Sequence, residues 1–419
     1  MKNIICLTST PVKKVFGTLL KDLSTGKNII FATDAYGDFR FTTEITEKKL
    51  SSIEIFQRAM KSLDEQTRRT RKSAEVFTPA WLCNKMNNFA DCEWFGNKDV
   101  FNSETGKGWS TKKTTVHFPE NKSWKDYVLL RILEITCGEA PFLVSRYDAA
   151  TGKLIPTENR IGVLDRKLRV IGENTKTQQE WNKWVYRAFE SVYGYEYQGD
   201  SLLIARINLI ETFCEYTRTR WKTEPSDASL RRIADIISKN IWQMDGLCGI
   251  VPNPDAVYLE NDGKDEPFLL SDDTDFWGKD IAAAYSIPPD AVDCEIYDWK
   301  EKRKLKYKDL KIGGNSMKFD FIIGNPPFQE EKKDTSDPPI YHLFMDEAYK
   351  IADKVELVTP ARFLFNAGKT PKAWNKKMLE DKHLKVLYYT PSSAEVFTNT
   401  DIRGGQQSHI VIKPRNFLR

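Results

Sequence analysis

Short apolar runs and segments of helical periodicity alternate along most of the chain. Apolar runs predict strands at residues 128–135, at 192–196 and at 319–324, with further strands in KVELVTPARFLF, in HLKVLYY and near the C-terminus. Apolar residues spaced by three or four positions predict helices over 176–191 and along SLLIARINLIETFCEY, IADIISKN and IYHLFMDEAYKIA. This alternation predicts an α/β fold with an open sheet, which binds ligands beyond the carboxyl ends of its strands.

The other segments are predicted to be additions to this sheet. Residues 1–70 form an N-terminal extension of short strands and a helix that ends in basic residues. Residues 71–415 form the catalytic domain, with polar insertions near residues 149–190 and 252–317. Within that domain, the segment PFLVSRYD is predicted to be a helix.

The composition is that of an ordinary globular protein, with 40% hydrophobic and 29% charged residues. Neither an apolar run of about 18 residues nor a secretory segment occurs, so we expect a cytoplasmic protein without a membrane span. Seven cysteines without a CxxC pair and only four histidines predict no metal site. A net charge of +4 allows a basic groove for nucleic acid but does not require one.

A helix is predicted over residues 51–73 and ends in the cluster Arg68, Arg69, Arg71 and Lys72. Such a cluster is either a solvated helix end or a contact for phosphates. Thr78 and Pro79 then predict the start of another helix, with Thr78 at the cap and Pro79 at the first position.

The segment Asn325-Pro326-Pro327-Phe328 follows the strand FDFII and has a definite chemical use. Two prolines fix the backbone and remove two donors, so the neighbouring carbonyl is rigidly aimed. The Asn325 amide oxygen and the Pro326 carbonyl then form two fixed acceptors for the hydrogens of a nucleobase amine. Accepting both hydrogens localises the nitrogen lone pair. Because the two acceptors are already in place, this is preorganised electrostatic stabilisation. Phe328 would stack on a base that has left the helix.

This segment resembles the catalytic motif of the DNA amino-methyltransferases. Asn at its first position is similar to the enzymes that methylate N6 of adenine, whereas enzymes acting on N4 of cytosine more often carry Ser there. The resemblance implies S-adenosylmethionine as cofactor and double-stranded DNA with a flipped adenine as substrate. It also implies a Rossmann-like class I methyltransferase sheet.

The segment ILEITCGEAPFL, residues 132–143, resembles the cofactor motif of the same family. The resemblance implies that Glu134 complements the positive end of the cofactor and that a turn brings the backbone close to its methionine part. The residues concerned are Glu134, Thr136, Cys137, Gly138 and Phe142. Glu139, Ala140 and Pro141 depart from the pattern, which usually has a small residue and a second glycine there.

Two further acids follow predicted strands in the family's order. Glu196 ends VYGYE, where a carboxylate accepts hydrogen bonds from ribose hydroxyls. It lies 58 residues after Gly138, which is longer than the usual unit of about 20 residues, and the insertion near 149–190 explains the excess. Asp245 ends the next strand, where the resemblance implies a contact with the adenine amine of the cofactor.

The segment Glu75 to Pro79 resembles the motif that precedes the glycine turn, and it implies that Thr78 contacts the methionine end of the cofactor. SSAEVFTNTDIRGG resembles the family's late target-base motif, in which Phe397 would face the flipped base opposite Phe328. The order of these motifs is similar to the gamma arrangement of adenine methyltransferases in restriction-modification systems. We therefore expect a site-specific DNA (adenine-N6)-methyltransferase.

Other functions stay open at this point. The same fold and motif would suit an RNA base or a protein amide, and a non-catalytic DNA-binding subunit would keep the fold alone. A combined restriction nuclease would need clustered acids and a lysine, for which Asp293, Glu295, Asp298 and Lys300 are the candidates. A C-terminal target-recognition domain is apparently absent, so recognition is expected from the insertions, from sequence beyond a truncated end, or from a separate specificity or restriction subunit.

Overall fold

The computed structural model describes residues 10–37, 39–73, 76–258, 285–311, 317–329, 338–397 and 408–414. Its α-helices are α1 (Val12–Leu19), α2 (Glu47–Leu50), α3 (Leu63–Ser73), α4 (Ala80–Phe95), α5 (Trp124–Leu129), α6 (Val163–Asn174), α7 (Gln178–Glu190), α8 (Gly199–Trp221), α9 (Asp227–Asn240), α10 (Tyr341–Ile351) and α11 (Lys372–Glu380). Its strands are β1 (Asn102–Thr105), β2 (Gly108–Thr111), β3 (Ile132–Ile135), β4 (Val192–Glu196), β5 (Ile241–Gln243), β6 (Val257–Tyr258), β7 (Tyr285–Ser286), β8 (Glu295–Asp298), β9 (Arg303–Lys306), β10 (Phe319–Gly324), β11 (Ala352–Pro360), β12 (Lys385–Thr390) and β13 (Ser408–Pro414).

A seven-stranded sheet in the order β12-β13-β11-β10-β3-β4-β5 organises the molecule. The neighbours from β5 to β11 pair in parallel, whereas β13 runs antiparallel to both β11 and β12. This arrangement confirms the predicted Rossmann-like class I methyltransferase sheet. The chain builds outward from β3 to β5 and then returns to the other side of β3 with β10. The crevice beyond the carboxyl ends of β3 and β10 is therefore the switch point, where such sheets bind ligands.

Both faces of the sheet are buried, which explains why its strands are apolar runs. Along β3, Ile132 faces one hydrophobic core, while Leu133 and Ile135 face the other. The first core lies under α4 to α9, and the second lies under α10 and the 3-10 turn Tyr307–Lys311. Residues of α1 share the first core, so the N-terminal segment packs directly on the sheet domain.

Three of the predicted helices and strands have different bounds from those expected. The helix predicted over 51–73 begins only at Leu63, because Ser62 caps it by accepting the Glu65 N–H at 3.2 Å. The strand predicted over 128–135 is confined to β3, since α5 occupies residues 124–129. Pro79 rather than Thr78 takes the capping position of α4.

The prediction of a helix at PFLVSRYD is wrong, since residues 141–148 form turns. The Glu134 carboxylate accepts the N–H groups of Phe142 and Leu143, and this pins the segment to β3. The first part of the polar insertion predicted near 149–190 contains the helix α6, which the sequence pattern does not predict. The sequence does not indicate this helix because charged residues lie on its buried face. Asp165 and Arg166 are both buried: Asp165 accepts the Ser145 N–H at 2.9 Å, and Arg166 binds Asp91.

The acids considered for a nuclease hold a hairpin together instead. Asp293, just before β8, pairs with Lys306 of β9 at 2.9 Å, and Glu295 of β8 pairs with Lys304 of β9 at 2.7 Å. Asp298 accepts the Lys300 N–H at 2.9 Å. Within the described part of the chain no group of His, Cys, Asp and Glu is arranged to hold a metal ion, and no helix is long and apolar enough to cross a bilayer.

His342 in α10 gives a testable pH dependence. Burial lowers its pKa to about 3, and its ring packs 5.5 Å from that of Trp374. A depressed pKa means that stability is present above the unfolded pKa of about 6.5 and is lost as the pH falls below it. Between pH 7.5 and pH 5, the free energy of unfolding measured in urea should fall by roughly 2 kcal/mol more in the wild type than in His342→Phe. Equal losses in both proteins would contradict the buried neutral histidine.

Candidate active site

The turn after β3 is held in a strained, left-handed conformation. Thr136, Gly138 and Ala140 have φ values of 46°, 54° and 61°. Glycine suits such a φ best, so Ala140 holds a backbone conformation that a glycine would adopt with less strain. A Cβ on Gly138 would lie 3.1 Å from the Phe77 ring, so Gly138 also makes room for the segment before α4.

Glu134 and Phe142 anchor this turn from inside the protein. Oε2 of Glu134 accepts the Leu143 N–H at 3.0 Å, and burial raises the pKa of this carboxyl well above its ordinary value. Phe142 is 1% exposed within the first core. The Glu134 carboxylate accepts hydrogen bonds from the turn's own backbone, and its contact with a cationic cofactor stays a prediction. Phe142 likewise supports the turn from below.

Asn325 lies at the switch point, directly after β10. Its Nδ2 donates to the Val76 carbonyl at 2.9 Å, which fixes the orientation of the amide. Its Oδ1 is buried and accepts no hydrogen bond from any described residue. An orphaned buried acceptor carries a desolvation penalty of about 1–3 kcal/mol, which marks a position kept for an incoming donor.

Two contacts hold the backbone of Asn325 close to β3. The Thr136 hydroxyl donates to the Asn325 carbonyl at 3.2 Å. A Cβ on Gly324 would lie 2.7 Å from the Ile135 carbonyl, so only glycine allows β10 to approach β3 this closely. The turn after β3 and the NPPF segment therefore pack against each other as one unit.

The prolines and Phe328 complete this unit. Pro326 is buried, and among the described residues no hydrogen bond reaches its carbonyl. Pro327 is partly buried and leads into Phe328, whose ring lies 6.2 Å from that of Phe397 at an interplanar angle of 60°. The structure thus brings Phe397 next to Phe328, as the sequence predicts, whereas residues 398–407 of the late motif and Glu75 lie outside the described residues.

Glu196 connects the ends of β3 and β4. Its Oε2 accepts the Gly138 N–H at 2.8 Å, and its Oε1 accepts the Gln198 N–H at 3.0 Å. Cys137 lies beside it, donating its backbone N–H to the Tyr195 carbonyl at 2.8 Å, and burial raises the pKa of the Cys137 thiol. Cys137 is thus a buried neutral thiol that packs against β4.

Asp245 and Thr78 sit at the edges of the crevice. Oδ1 of Asp245 accepts the N–H groups of Leu247 and Cys248 at 3.0 and 3.1 Å, which is the turn arrangement common for Asp before Gly. Burial raises the pKa of Asp245. Thr78 is 2% exposed, and its carbonyl lies 3.7 Å from the Cys83 sulfur.

Val76, Phe77 and Gly324 all shape the site, but the sequence pattern assigns none of them a role: Val76 and Phe77 fall within the segment Glu75 to Pro79, in which a contact is predicted for Thr78 alone. Val76 acts through its carbonyl, which no side-chain pattern reveals. Gly324 matters through the packing of β10 against β3, which depends on a contact with Ile135 far away in the chain. Arg69 was considered as a phosphate contact, but it is 2% exposed and pairs with Asp200 at 2.5 Å.

Comparison with known proteins finds relatives in one class. Residues 190–397 match the family described as Eco57I restriction-modification methylase. A Mycoplasma pneumoniae protein described as an uncharacterized adenine-specific methylase is 28% identical over 115 residues, which are 26% of this chain and 27% of that protein. A solved type I restriction-modification methyltransferase subunit from Streptococcus thermophilus gives a TM-score of 0.35 and 12% identity, over 88% of this chain and 52% of that chain.

The chain therefore spans about a quarter of the curated relative that it matches and about half of that solved chain. The matched residues 190–397 include Glu196, Asp245, the NPPF segment and Phe397. The resemblance predicted from the order of the motifs is confirmed: this chain is similar to restriction-modification methylases.

Proposed function

We propose that this protein is the DNA methyltransferase of a restriction-modification system and that it methylates N6 of adenine in double-stranded DNA. The observation that carries the proposal is the Asn325 amide, whose Oδ1 is buried and unpartnered at the switch point of the sheet. A methyltransferase for an exocyclic amine needs an acceptor of this kind.

Asn325 and Pro326 would hold the target amine between them. The Val76 carbonyl takes the donor side of the Asn325 amide, so the acceptor side is the one presented to a substrate. With the Pro326 carbonyl, this gives two fixed acceptors for two amine hydrogens. Accepting both draws the nitrogen toward tetrahedral geometry and localises its lone pair, without a covalent intermediate and without a metal. Pro327 keeps the turn rigid.

Phe328 and Phe397 would hold the flipped base between their rings. They now contact each other at a tilt of 60°, so they must separate and turn to accept a base. We expect Phe397→Ala to weaken the extruded state by roughly 1–3 kcal/mol, the usual worth of one stacked base. Fluorescence of 2-aminopurine at the target position measures this extrusion. An unchanged signal in Phe397→Ala would remove Phe397 from the proposal.

The crevice fits S-adenosylmethionine by the chemistry of its side chains. A nucleoside presents hydroxyl and amine donors, and the ends of β4 and β5 present the carboxylates of Glu196 and Asp245 as acceptors. Thr136, Cys137 and Gly138 would bring the backbone to the methionine part, and Thr78 would pack beside it. When bound, the cofactor supplies the electrophilic methyl group.

We further propose that recognition of the DNA site depends on another polypeptide. A similar solved protein is described as a methyltransferase subunit of a type I system, and this chain covers only 52% of it. Residues 71–415 would be the catalytic domain, and residues 1–70 an extension that supports it.

Transfer of a radiolabelled methyl group to double-stranded DNA, RNA and protein, measured in parallel, tests the substrate class. The proposal expects label in the DNA, at adenine. Label confined to RNA or protein would overturn it in favour of the alternatives that share the fold.

A further inference from the structure

The N-terminal segment contacts the loops after all three strands that would bind the cofactor. The Arg58 N–H donates to Glu139 in the β3 loop at 2.7 Å. Arg69 Nη1 donates to the Gln198 side chain in the β4 loop at 3.0 Å. At the end of β5, Gln243 and the backbone of Ile30 exchange two hydrogen bonds of 2.8 and 2.9 Å. We call residues 29–69 the N-terminal brace.

Asp200, at the start of α8, is the centre of this contact. Its side chain is fully buried and accepts from Arg69 Nη2 at 2.5 Å and from the Tyr36 hydroxyl at 2.8 Å. Lys61 lies 3.5 Å from the same carboxylate. Burial alone would raise the pKa of Asp200, but Lys61 and Arg69 outweigh it and hold that pKa well below its usual range. Asp200 is therefore charged, and the brace is fixed to α8 by a desolvated ionic contact.

This contact continues to the acid expected to bind ribose. Arg69 holds the side chain of Gln198, whose N–H donates to Glu196 at 3.0 Å, and Glu196 in turn accepts the Gly138 N–H at 2.8 Å. The brace also packs directly on the backbone at the start of α8, since a Cβ on Gly199 would lie 1.9 Å from the Ile30 carbonyl oxygen. The orientation of Glu196 thus depends on a side chain 127 positions earlier in the chain.

We infer that Arg69 is a positioning residue for the cofactor, which fixes Glu196 through Gln198 and Asp200 and so sets the affinity for S-adenosylmethionine. The inference rests on the proposed function. Arginine suits this part because the separate Nη1 and Nη2 groups of its planar fork bind Gln198 and Asp200, a fixed spacing that the single ammonium nitrogen of a lysine does not reproduce.

Arg69→Lys is the sharpest test, because it keeps the charge beside Asp200 and removes the fork. Titration calorimetry with S-adenosylmethionine, in the absence of DNA, should show a Kd raised about tenfold. The KM for the cofactor should rise with it, whereas kcat at saturating cofactor should stay within twofold. A purely structural role would instead lower the melting temperature and the fraction of active protein without changing Kd.

Arg68→Lys is the matched control. Arg68 is the preceding residue, its side chain is 39% exposed, and it lies 3.6 Å from Asp34 at the surface. Its variant should bind the cofactor as the wild type does. Gln198→Ala removes the same link from the other side and should also raise Kd, so the inference stays testable if Arg69→Lys does not fold.

The outcomes separate this inference from the proposed function. Wild-type protein that binds the cofactor and methylates DNA, with unchanged Kd in folded Arg69→Lys and Gln198→Ala, would overturn the inference alone. Wild-type protein that does not bind S-adenosylmethionine would overturn both.

Discussion

Replacing Asn325 by alanine is expected to abolish methyl transfer while leaving cofactor affinity nearly unchanged. The variant removes the buried Oδ1, which is the only side-chain acceptor that the site offers to the amine among the described NPPF residues. Loss of one preorganised hydrogen-bonding group in a comparable site lowers kcat by about 10²- to 10³-fold. The rate of a single turnover with DNA and saturating cofactor measures the effect.

Asn325→Asp is the informative control for that result. It keeps an acceptor oxygen and the size of the side chain, but it replaces the amide donor that binds the Val76 carbonyl at 2.9 Å. Two oxygens would then face each other, so the side chain should turn away and activity should again be lost. Full activity in Asn325→Ala would contradict the assigned role, and full activity in Asn325→Asp would contradict the anchoring by Val76.

Replacing Glu196 by alanine is expected to raise the Kd for S-adenosylmethionine about 100-fold or more. Hydrogen bonds to a charged group contribute about 1.5–3 kcal/mol each, and the ribose offers two hydroxyls. The variant also leaves the Gly138 N–H without the acceptor that it now has at 2.8 Å, so the turn after β3 should loosen. Titration calorimetry gives the Kd directly.

Glu196→Gln should lie between the wild type and Glu196→Ala, because it keeps one acceptor oxygen and loses the charge. Asn325→Ala serves as the reciprocal control, since its effect should fall on kcat and leave Kd within a few-fold. A Kd for Glu196→Ala within twofold of the wild type would mean that the ribose does not bind at the end of β4.

The sheet could be predicted because its signals are local. FDFIIG and VYGYE are apolar runs with strand lengths, and β10 and β4 follow them closely. The positions of Glu196 and Asn325 at strand ends then place both side chains at one edge of the sheet. The helix α6 could not be predicted in this way, because Arg166 and Lys167 look solvated in the sequence but are buried, where their partners lie far away in the chain.

The sequence predicts the chemical groups of the candidate site but not the contacts that hold them in place. The NPPF segment predicts two hydrogen-bond acceptors, the Asn325 amide oxygen and the Pro326 carbonyl, and the aromatic ring of Phe328. These properties belong to the residue types and do not depend on the fold. Glu134 is predicted to contact the cofactor because a carboxylate beside a glycine turn suggests such a role, but the sequence does not reveal that it also accepts two N–H groups of that turn. The anchoring of Asn325 by Val76 depends on a contact between residues 249 positions apart, which a single sequence does not reveal.

The central claim is that the buried amide of Asn325 serves N6 methylation of adenine in DNA. Mass spectrometry of nucleosides tests it most directly, in DNA from cells that express this chain with the genes that flank its own. We predict N6-methyladenine above the background of the host with the wild-type chain and its absence with Asn325→Ala. N6-methyladenine at equal levels with both chains, or methylation confined to cytosine, would contradict the claim.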